Sequence, residues 1–462
     1  MLRYVPIFFT SKKRLYLTKK LMKKVGSWLG GDRSKVIFRS LQYRNYRLFF
    51  SGQSISLIGT WMQRIAMPWL VYHITGSVFL LGAVGFAGQI PTFLLSPFAG
   101  VLTDRWNRYR VLLFTQVLSM IQAIILTWLC LSGTIQVWQI VLLSIGLGCV
   151  NAFDVPARHS FVFDMVEKKQ DLGNAIALNS LMFNGARLIG PSIAGIMLAT
   201  TSEGFCFLLN AVSYVFVIIS LLMMKLKVKS VKEKSTRILK ELKDGWIYTF
   251  GFQPIKHLII LLGISSLMGM SYSVLMPVYA KEILHGGSHT FGFLMGAAGF
   301  GALSGALYLA SRKTVIKLGS IVPASALLFG TGLIILSFST VFSLSLVLMV
   351  FIGLGMMMQT AASNIIIQTI TDDDKRGRVM GFYSMAIMGT APFGSLIAGW
   401  LAKVIGTPWT IFTGGAATII GALFFLRKLP ELKKDVWPVY IRLGIVSDKA
   451  EVILPALEPE ID

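Results

Sequence analysis

Charged residues are unusually few in this sequence. Only 14% of its 462 residues are Asp, Glu, Lys or Arg, and 54% are hydrophobic, whereas about a quarter of the residues of a soluble domain carry charge. Acidic residues are the rarer kind, with 21 Asp and Glu against 44 Lys and Arg. This composition excludes an ordinary soluble protein and predicts a chain whose solvent is lipid.

The positions of the basic residues argue against nucleic-acid binding, despite a net charge of +23. Thirteen Lys and Arg lie before residue 48, eight lie between residues 225 and 243, and most others lie in short breaks between apolar runs. Basic loops that are held in the cytoplasm produce this distribution. A basic face that binds nucleic acid would concentrate the charge on one element.

Cysteine and several catalytic patterns are also scarce or missing. The three cysteines, Cys130, Cys149 and Cys206, lie in apolar segments without metal-ligand spacing, so we expect small core residues without disulfides or metal. The sequence has no GxxxxGK[ST] loop and no Ser-His-Asp arrangement, which argues against ATP drive and against an enzyme. A proton gradient is the expected driving force, and no cofactor is expected.

What the sequence has in abundance is long apolar runs. They are long enough to cross a hydrocarbon core of roughly 30 Å, and a helix satisfies its own backbone hydrogen bonds in lipid. We predict an all-α integral membrane protein with twelve spanning segments, at 46–73, 78–102, 110–131, 136–163, 173–199, 205–226, 256–280, 290–311, 316–338, 342–370, 377–402 and 407–428.

Lys and Arg in alternate breaks predict the orientation. The breaks after the odd-numbered segments hold only Lys281 and Lys403, while the other breaks hold basic clusters such as Arg312-Lys313. Positive loops stay on the cytoplasmic side. Both termini are therefore predicted to be cytoplasmic, in a multi-pass protein of the bacterial inner membrane.

The breaks also predict the domains: a basic N-terminal segment (1–45), a six-helix bundle (46–226), a linker (227–255), a second bundle (256–428) and a C-terminal tail (429–462). Residues 1–25 are either a basic amphipathic segment on the inner leaflet or an unstructured extension.

Two short motifs recur in the second half. Gly146-Leu147-Gly148 returns as Gly353-Leu354-Gly355, and "GPSIAG" at 190–195 is echoed by "GSLIAG" at 394–399. The pattern predicts a parallel 6+6 repeat with a substrate site between the halves.

The stretch "GVLTDRWNRYR" at 100–110 resembles the loop 2–3 signature of the major facilitator superfamily. The matching residues are Gly100, Asp104, Arg105, Arg108 and Arg110. The resemblance implies that Asp104 is a conformational latch that pairs with Arg376 or Arg378 at the start of segment 11. The alternative is a charged loop that makes ordinary surface contacts.

A second stretch, "NGARLIGPSIAG" at 184–195, resembles the fifth-helix signature of antiporters in this superfamily. Gly190, Pro191 and Gly195 match it, and Arg187 lies within it. The alternative is close helix packing, which small residues also allow. With "NAFDVPARHSFVFDMV" and "LMPVYAKEILHGG", the chain is similar over residues 37–428 to the drug:proton antiporter branch that holds enterobactin exporters and macrolide-efflux proteins. That resemblance implies export by a monomer.

Four ionisable residues are predicted at membrane depth, where they are functional candidates by default. Asp154 and Arg158 are spaced i,i+4 and can pair, while Arg187 is an alternative partner for Asp154. Arg187 either forms this structural bridge or faces the cavity and meets an anionic part of the substrate. Asp154 is the predicted proton-coupling residue. Uncharged residues join Arg64 as predicted cavity lining: Gln53, Gln89, Asn179, Asn184, Gln359 and Asn364.

Function follows from the balance of these charges. Two arginines with almost no acids favour a neutral or anionic small-molecule cargo over a cationic drug. We expect a proton-coupled exporter of an amphiphilic, siderophore-like molecule. A macrolide or multidrug efflux pump and a lysophospholipid carrier are the alternatives. A membrane enzyme would need a nucleophile and a base clustered at one depth, and the sequence shows none.

Overall fold

A computed structural model describes residues 39–168, 171–225, 238–312, 314–372, 375–443 and 445–446. Within these ranges, the side chains of residues 97, 100, 101, 103–105 and 238–242 are not described. The two interpretations of residues 1–25, and the end of the predicted tail, therefore lie outside the described residues.

The described chain is helical throughout. Its helices, in chain order, are α1 (Arg44–Thr75), α2 (Val78–Arg105), α3 (Arg108–Leu131), α4 (Val137–Met165), α5 (Leu172–Thr200), α6 (Glu203–Leu222), α7 (Ile238–Gly251), α8 (Gln253–Ile283), α9 (Ser288–Ala310), α10 (Leu318–Phe338), α11 (Phe342–Ile370), α12 (Arg376–Ile405) and α13 (Thr407–Arg442).

Eleven of the described helices are long and apolar enough to cross a membrane. α1 spans 32 residues and is less apolar because polar side chains, including Gln53, Gln63 and Arg64, interrupt it. Its position completes two sets of six, α1–α6 and α8–α13, which confirms the predicted architecture. The short helix α7 lies in the predicted linker and leads into α8.

Contacts between the two halves follow the predicted repeat. The fifth helix of each half packs against the second helix of the other half, as α5 on α9 and α12 on α2. The two recurring motifs occupy equivalent helices, the fourth (α4 and α11) and the fifth (α5 and α12). This pairing is the one that a two-fold axis along the bundle produces.

The recurring glycines explain how close the halves come. A Cβ atom added at Gly195 of α5 would lie 2.7 Å from the Cα of Gly292 on α9, and one added at Gly399 of α12 would lie 2.9 Å from the Cα of Gly82 on α2. These distances are too short for any side chain. Small residues let helices in lipid approach through backbone contact, so the two glycine pairs bring the halves into backbone contact at symmetric places.

Several helices contain residues or turns that depart from regular α-geometry, among them α5, α8 and α12. α5 carries the buried Pro191 in its middle, and proline removes one helical hydrogen bond. α8 contains π-helical turns at Ser265–Gly269 and Tyr279–Ile283, and α12 contains one at Met385–Gly389. Such turns concentrate where a helix departs from regular packing, often at functional sites. Here they fall on two helices that line the junction between the halves.

The apolar core shows which end of the bundle is closed. We call the end that carries α7 the linker side and the opposite end the distal side. One buried cluster on the distal side joins both halves, with members from Met62 on α1 to Ala402 on α12. On the linker side the clusters are separate, one within α1–α6 and one within the second half. The halves are therefore packed together on the distal side and separated on the linker side.

Polar and aromatic contacts reinforce the distal closure. The hydroxyl of Tyr72 on α1 donates a hydrogen bond to the Glu282 carboxylate on α8. The Lys281 ammonium lies 5.4 Å from the centre of the Tyr72 ring, and Trp69 stacks on Phe291 with ring centres 6.1 Å apart. Each contact joins one half to the other, so opening the distal side must break all three.

On the linker side, α13 continues beyond residue 428, where the last apolar segment ends. Leu432 and Tyr440 pack into the core of the second half, and Arg442 forms a 2.9 Å ion pair with Asp372 in the loop between α11 and α12. Tyr248 of α7 donates a hydrogen bond to the same carboxylate. The Arg442 guanidinium and this bond lower the pKa of Asp372. α13 extends beyond residue 428 because its apolar residues, Leu432 and Tyr440, pack against the core of the second half.

The glycine junction yields a test of distal closure. In Gly292→Leu, the added side chain meets the backbone of α5, and overpacking of this kind costs about 1–3 kcal/mol. The distally open form should therefore gain population by roughly an order of magnitude. Spin labels at Thr200 and His289, in a cysteine-free background, measure the separation of α5 from α9.

The matched control is Gly146→Leu, since a Cβ at that glycine meets nothing within 4 Å. The distance distribution of this variant should equal that of the parent protein. If Gly292→Leu also keeps the short distance, the glycine pair does not determine closure.

Candidate functional site

Asp154 is the carboxylate at the centre of the predicted proton-coupling site. Its residue is 2% exposed, and it forms an ion pair with Arg158, one turn later on α4. Two side chains of α3 donate hydrogen bonds to its Oδ1 atom, Thr115 Oγ1 at 2.9 Å and Gln116 Nε2 at 2.7 Å. Of the two partners that the sequence left open, Asp154 pairs with Arg158. The two hydrogen bonds to Asp154 tie α3 to α4, and Arg187 takes no part in the ion pair.

Arg187 instead lies against the indole ring of Trp61, and Arg64 lies against the same ring. The guanidinium carbon of Arg64 lies 4.9 Å from the centre of the Trp61 ring, and that of Arg187 lies 5.7 Å from it. Trp61 is held in place because Gly190 leaves room for it, since a Cβ there would lie 2.5 Å from the Cβ of Trp61. Phe183 of α5 packs edge-on against the same ring at 5.7 Å. Helices α1 and α5 thus present two cations on one aromatic surface.

The three arginines form one electrostatic cluster. Arg64 lies within electrostatic range of both Arg187 and Arg158. Asp154 is the only carboxylate in the apolar middle of a spanning helix among the described side chains. One negative charge therefore faces three positive ones. The cluster keeps an excess of positive charge at a depth where charge is expensive unless it is paired or hydrated.

Contacts of Arg187 place this cluster between the halves. Its Nη2 atom lies 3.9 Å from the Sδ atom of Met356 on α11, and the buried phenol of Tyr272 on α8 is within electrostatic range. A Cβ added at Gly299 of α9 would lie 2.7 Å from the Arg187 carbonyl oxygen. Arg64 is exposed although it lies deep within α1. With Arg187 and Arg158 as neighbours, it faces the space between the halves rather than lipid.

Some of the predicted polar lining is packed between helices. Gln53, Asn184 and Gln359 are all at most 5% exposed. Asn184 donates to the carbonyl oxygen of Ser180 in its own helix, at 2.9 Å. Gln359 Nε2 donates to Ser265 Oγ on α8, at 2.8 Å. The Gln359 hydrogen bond therefore joins α11 to α8, whereas the Asn184 bond stays within α5.

Other predicted lining residues are half-buried. Gln89 Nε2 lies 3.4 Å from Ser395 Oγ on α12, a contact that joins the halves. Asn364 accepts a 2.6 Å hydrogen bond from Gln368. The Asn179 side-chain oxygen is buried without a hydrogen-bond partner in the described part of the chain. These three side chains retain partial exposure and can contribute to a cavity.

The predicted latch is described only in part. The side chains of Gly100, Asp104 and Arg105 lie outside the described set. The surrounding basic residues make contacts within their own halves: Arg108 Nη1 is 3.4 Å from Asp164, Arg376 Nε donates to the Gln368 carbonyl oxygen at 3.2 Å, and Arg378 packs against Gly245 of α7. Pairing of Asp104 with α12 stays a prediction.

A family model described as "transmembrane secretion effector" matches residues 37–441. The chain belongs to this family of major facilitator superfamily transporters. Membership accounts for the two six-helix bundles and for a polar site between them, and it confirms that the protein is a transporter and not an enzyme.

Relatives of this chain are named for different molecules. The chain is 27% identical over 395 residues to the staphyloferrin A transporter of Staphylococcus aureus, covering 84% of this chain and 98% of the relative. It is 24% identical over 385 residues to the multidrug efflux pump Tap of Mycolicibacterium fortuitum, covering 82% and 90%. The chain is therefore similar both to a protein named for a siderophore and to one named for drugs.

Solved structures show the same fold. A bacterial homologue of the lysosomal transporter Spinster, in an inward-facing and unoccupied conformation, matches with a TM-score of 0.68 and 13% identity, over 85% of this chain and 98% of that one. A bacterial homologue of the iron transporter ferroportin, in an inward-facing state, matches with a TM-score of 0.64 and 16% identity, over 84% and 98%. At these identities the likeness concerns the fold alone.

Sequence reasoning missed the residues that complete the site. Trp61 lies three positions before Arg64, a spacing that places both on one helix face, so the sequence held a signal for it. Thr115 and Gln116 gave no such signal because α3 approaches Asp154 only through tertiary packing. Met356 lies more than 160 residues from Arg187 along the chain, and no local pattern relates them.

The Asp154–Arg158 pair yields a stability prediction. Arg158→Met removes one partner and leaves a buried carboxylate, which costs about 3–5 kcal/mol. Thermal unfolding in detergent should show a clear loss of stability. The double variant Asp154→Asn/Arg158→Met removes both charges and should recover most of it. Equal stability of the single variant and the parent would contradict an ion pair in the folded protein.

Proposed function

We propose that this protein exports an amphiphilic, siderophore-like organic molecule, neutral or anionic, across the bacterial inner membrane by proton-coupled alternating access. The observation that carries the proposal is the cluster of Arg64, Arg158 and Arg187 in the space between two halves that are closed at one end. A site between the halves is what the parallel repeat predicts, and its positive charge suits cargo that is not cationic.

The direction of transport rests on the charge of the loops and on resemblance. If the basic breaks are cytoplasmic, the linker side faces the cytoplasm and the described state is inward-facing. Cargo then enters from the cytoplasm and leaves when the distal junction opens. The similarity of "NGARLIGPSIAG" to the fifth-helix signature of antiporters supports export.

Relatives support both a siderophore and a drug as cargo. The staphyloferrin A transporter is 27% identical to this chain, and the Tap efflux pump is 24% identical. Electrostatics favours the first, because a cationic drug would be repelled by the arginine cluster, whose one carboxylate already pairs with Arg158. A lipophilic neutral drug such as a macrolide is compatible with the site and is the second candidate.

Proton coupling is proposed at Asp154. Coupling needs a group that gains and loses a proton as access alternates, and Asp154 is the one carboxylate at mid-depth among the described side chains. Protonation removes the negative charge that Asp154 contributes to its ion pair with Arg158, so proton uptake requires that the pair separate. Because Thr115 and Gln116 also hold this carboxylate, separation moves α3 against α4. Proton uptake would thereby be tied to a change in the first half of the transporter.

The identity of the transported molecule is tested most directly by deletion of the gene. Under iron limitation, the culture medium of the deletion strain should lose a secreted iron chelator, as measured by iron-binding activity and mass spectrometry. Drug sensitivities of the same strain form the parallel measurement. Hypersensitivity to drugs with unchanged chelator secretion would replace the siderophore proposal with multidrug efflux.

Coupling is tested with Asp154→Asn in proteoliposomes. This variant keeps the size of the side chain but cannot carry the proton, so uptake of cargo driven by a pH gradient should fall to background. Counterflow exchange without a gradient should persist if the site still binds cargo. Because the variant leaves Arg158 unpaired, the charge-free Asp154→Asn/Arg158→Met protein is measured beside it, and pH-driven transport by either protein would refute coupling at Asp154.

A further inference from the structure

The most unusual feature of the site is a pair of guanidinium groups that have no oxygen acceptor among the described residues. Arg64 forms neither an ion pair nor a hydrogen bond within the described part of the chain, where its partner is the Trp61 ring. Arg187 also lies against the Trp61 ring. Its hydrogen-bond acceptor in the described part of the chain is the sulfur of Met356, a weak acceptor at 3.9 Å. Each guanidinium carries five N–H donors in a rigid fork. Donors at this depth need water or an anion.

Arg158 provides the comparison within the same cluster. It lies within electrostatic range of Arg64, and its charge is neutralised by Asp154 in its own helix. Of the three arginines, Arg158 thus has a carboxylate partner. The described side chains supply no carboxylate partner for Arg64 or Arg187. A protein that used Arg64 and Arg187 only for packing would gain stability by giving them partners or replacing them with apolar residues. Their open donors indicate a ligand that brings the negative charge.

The geometry argues for two negative groups rather than one. Both guanidinium groups lie against the Trp61 ring, on two different helices, α1 and α5. A carboxylate binds one guanidinium bidentately through two parallel hydrogen bonds. A single carboxylate would leave the second cation uncompensated and repelled by the first. A molecule with two carboxylates can bind both guanidinium groups at once. Its carbon skeleton would then lie beside the Trp61 indole.

The site is also positioned to sense the conformational change. Arg187 approaches Met356 of the second half, and its backbone packs on Gly299 of α9. Arg64 lies on α1, within the first half. A ligand that bridges the two arginines is therefore held by the first half at the point where α5 meets the second.

We propose that Arg64 and Arg187, arranged around Trp61, form a two-point site for an organic polycarboxylate. The inference deepens the proposed function, on which it rests for the transport role, because it commits the cargo to an anion with at least two carboxylates. The neutral macrolide then falls outside the class that this site selects.

Binding to the purified full-length protein tests the site without any need for transport. Tricarballylate is the probe, and its trimethyl ester is the matched neutral compound. The signal is the tryptophan fluorescence of the parent protein minus that of Trp61→Phe, which isolates the indole at the site. Tricarballylate should give a saturable change that weakens with salt, and the ester should give none.

Variants then assign the signal to the arginines. Arg64→Gln and Arg187→Gln should each weaken tricarballylate binding by roughly tenfold or more, since charged hydrogen bonds are lost. Lysine at either position should recover part of it, because lysine keeps the charge but not the fork. The control is Arg312→Gln, in which the lost guanidinium also lies over an aromatic ring, that of Tyr308, but outside the cluster; its affinity should match the parent.

Several results would overturn the proposal. These are equal affinity for acid and ester, an absence of saturable binding by the parent protein, or a loss in Arg312→Gln as large as in the cluster variants. The outcome is separate from that of the export proposal. Arginine-dependent binding with unchanged secretion by the deletion strain would retain the site and reject siderophore export, whereas lost secretion without tricarballylate binding would do the reverse.

Discussion

Close approach of backbones at two glycine pairs is the constraint on which the structure depends. In lipid there is no hydrophobic drive between helices, so association relies on packing and on interhelical hydrogen bonds. Gly195 against Gly292 and Gly399 against Gly82 supply that packing at symmetric places. The distal aromatic and polar contacts add to a junction that these glycines make possible. Since each contact crosses from one half to the other, the junction can open as a unit.

The arginine cluster is tied to this junction through α5. Gly195 and Arg187 lie on the same helix, about two turns apart, and Pro191 lies between them. Gly190 makes room for Trp61, and Gly299 lets α9 approach the Arg187 backbone. Small residues thus serve two purposes along α5: they allow the halves to close, and they place an indole and a guanidinium at the point of closure. A ligand at this point contacts the helix that must move.

The site contains two charged arrangements with different partners: the Asp154–Arg158 ion pair and the two arginines at Trp61. Asp154 and Arg158 neutralise each other within α4, and Asp154 also holds α3 through Thr115 and Gln116, so a change at Asp154 propagates into helix packing. Arg64 and Arg187 have no carboxylate partner within the described chain, and they are the residues proposed to bind cargo. Both arrangements lie in the first half, while the second half contributes Met356, Tyr272 and the glycine face of α9. The residues proposed for binding and coupling therefore all lie in one bundle, while the other bundle supplies much of the closing surface.

Composition and periodicity determined the twelve helices, because a chain with so little charge must satisfy its backbone internally in lipid. The recurrence of Gly190–Gly195 at 394–399 indicated the repeat, and the structure shows its physical reason in symmetric glycine contacts. The sequence also placed Asp154, Arg158 and Arg187 at membrane depth, since isolated charges stand out in apolar runs. Only the tertiary structure decided that Asp154 takes Arg158 as its partner and that Arg187 turns to Trp61. Helical spacing relates residues within one helix, whereas contacts between α1, α4, α5 and α11 depend on how the bundles pack.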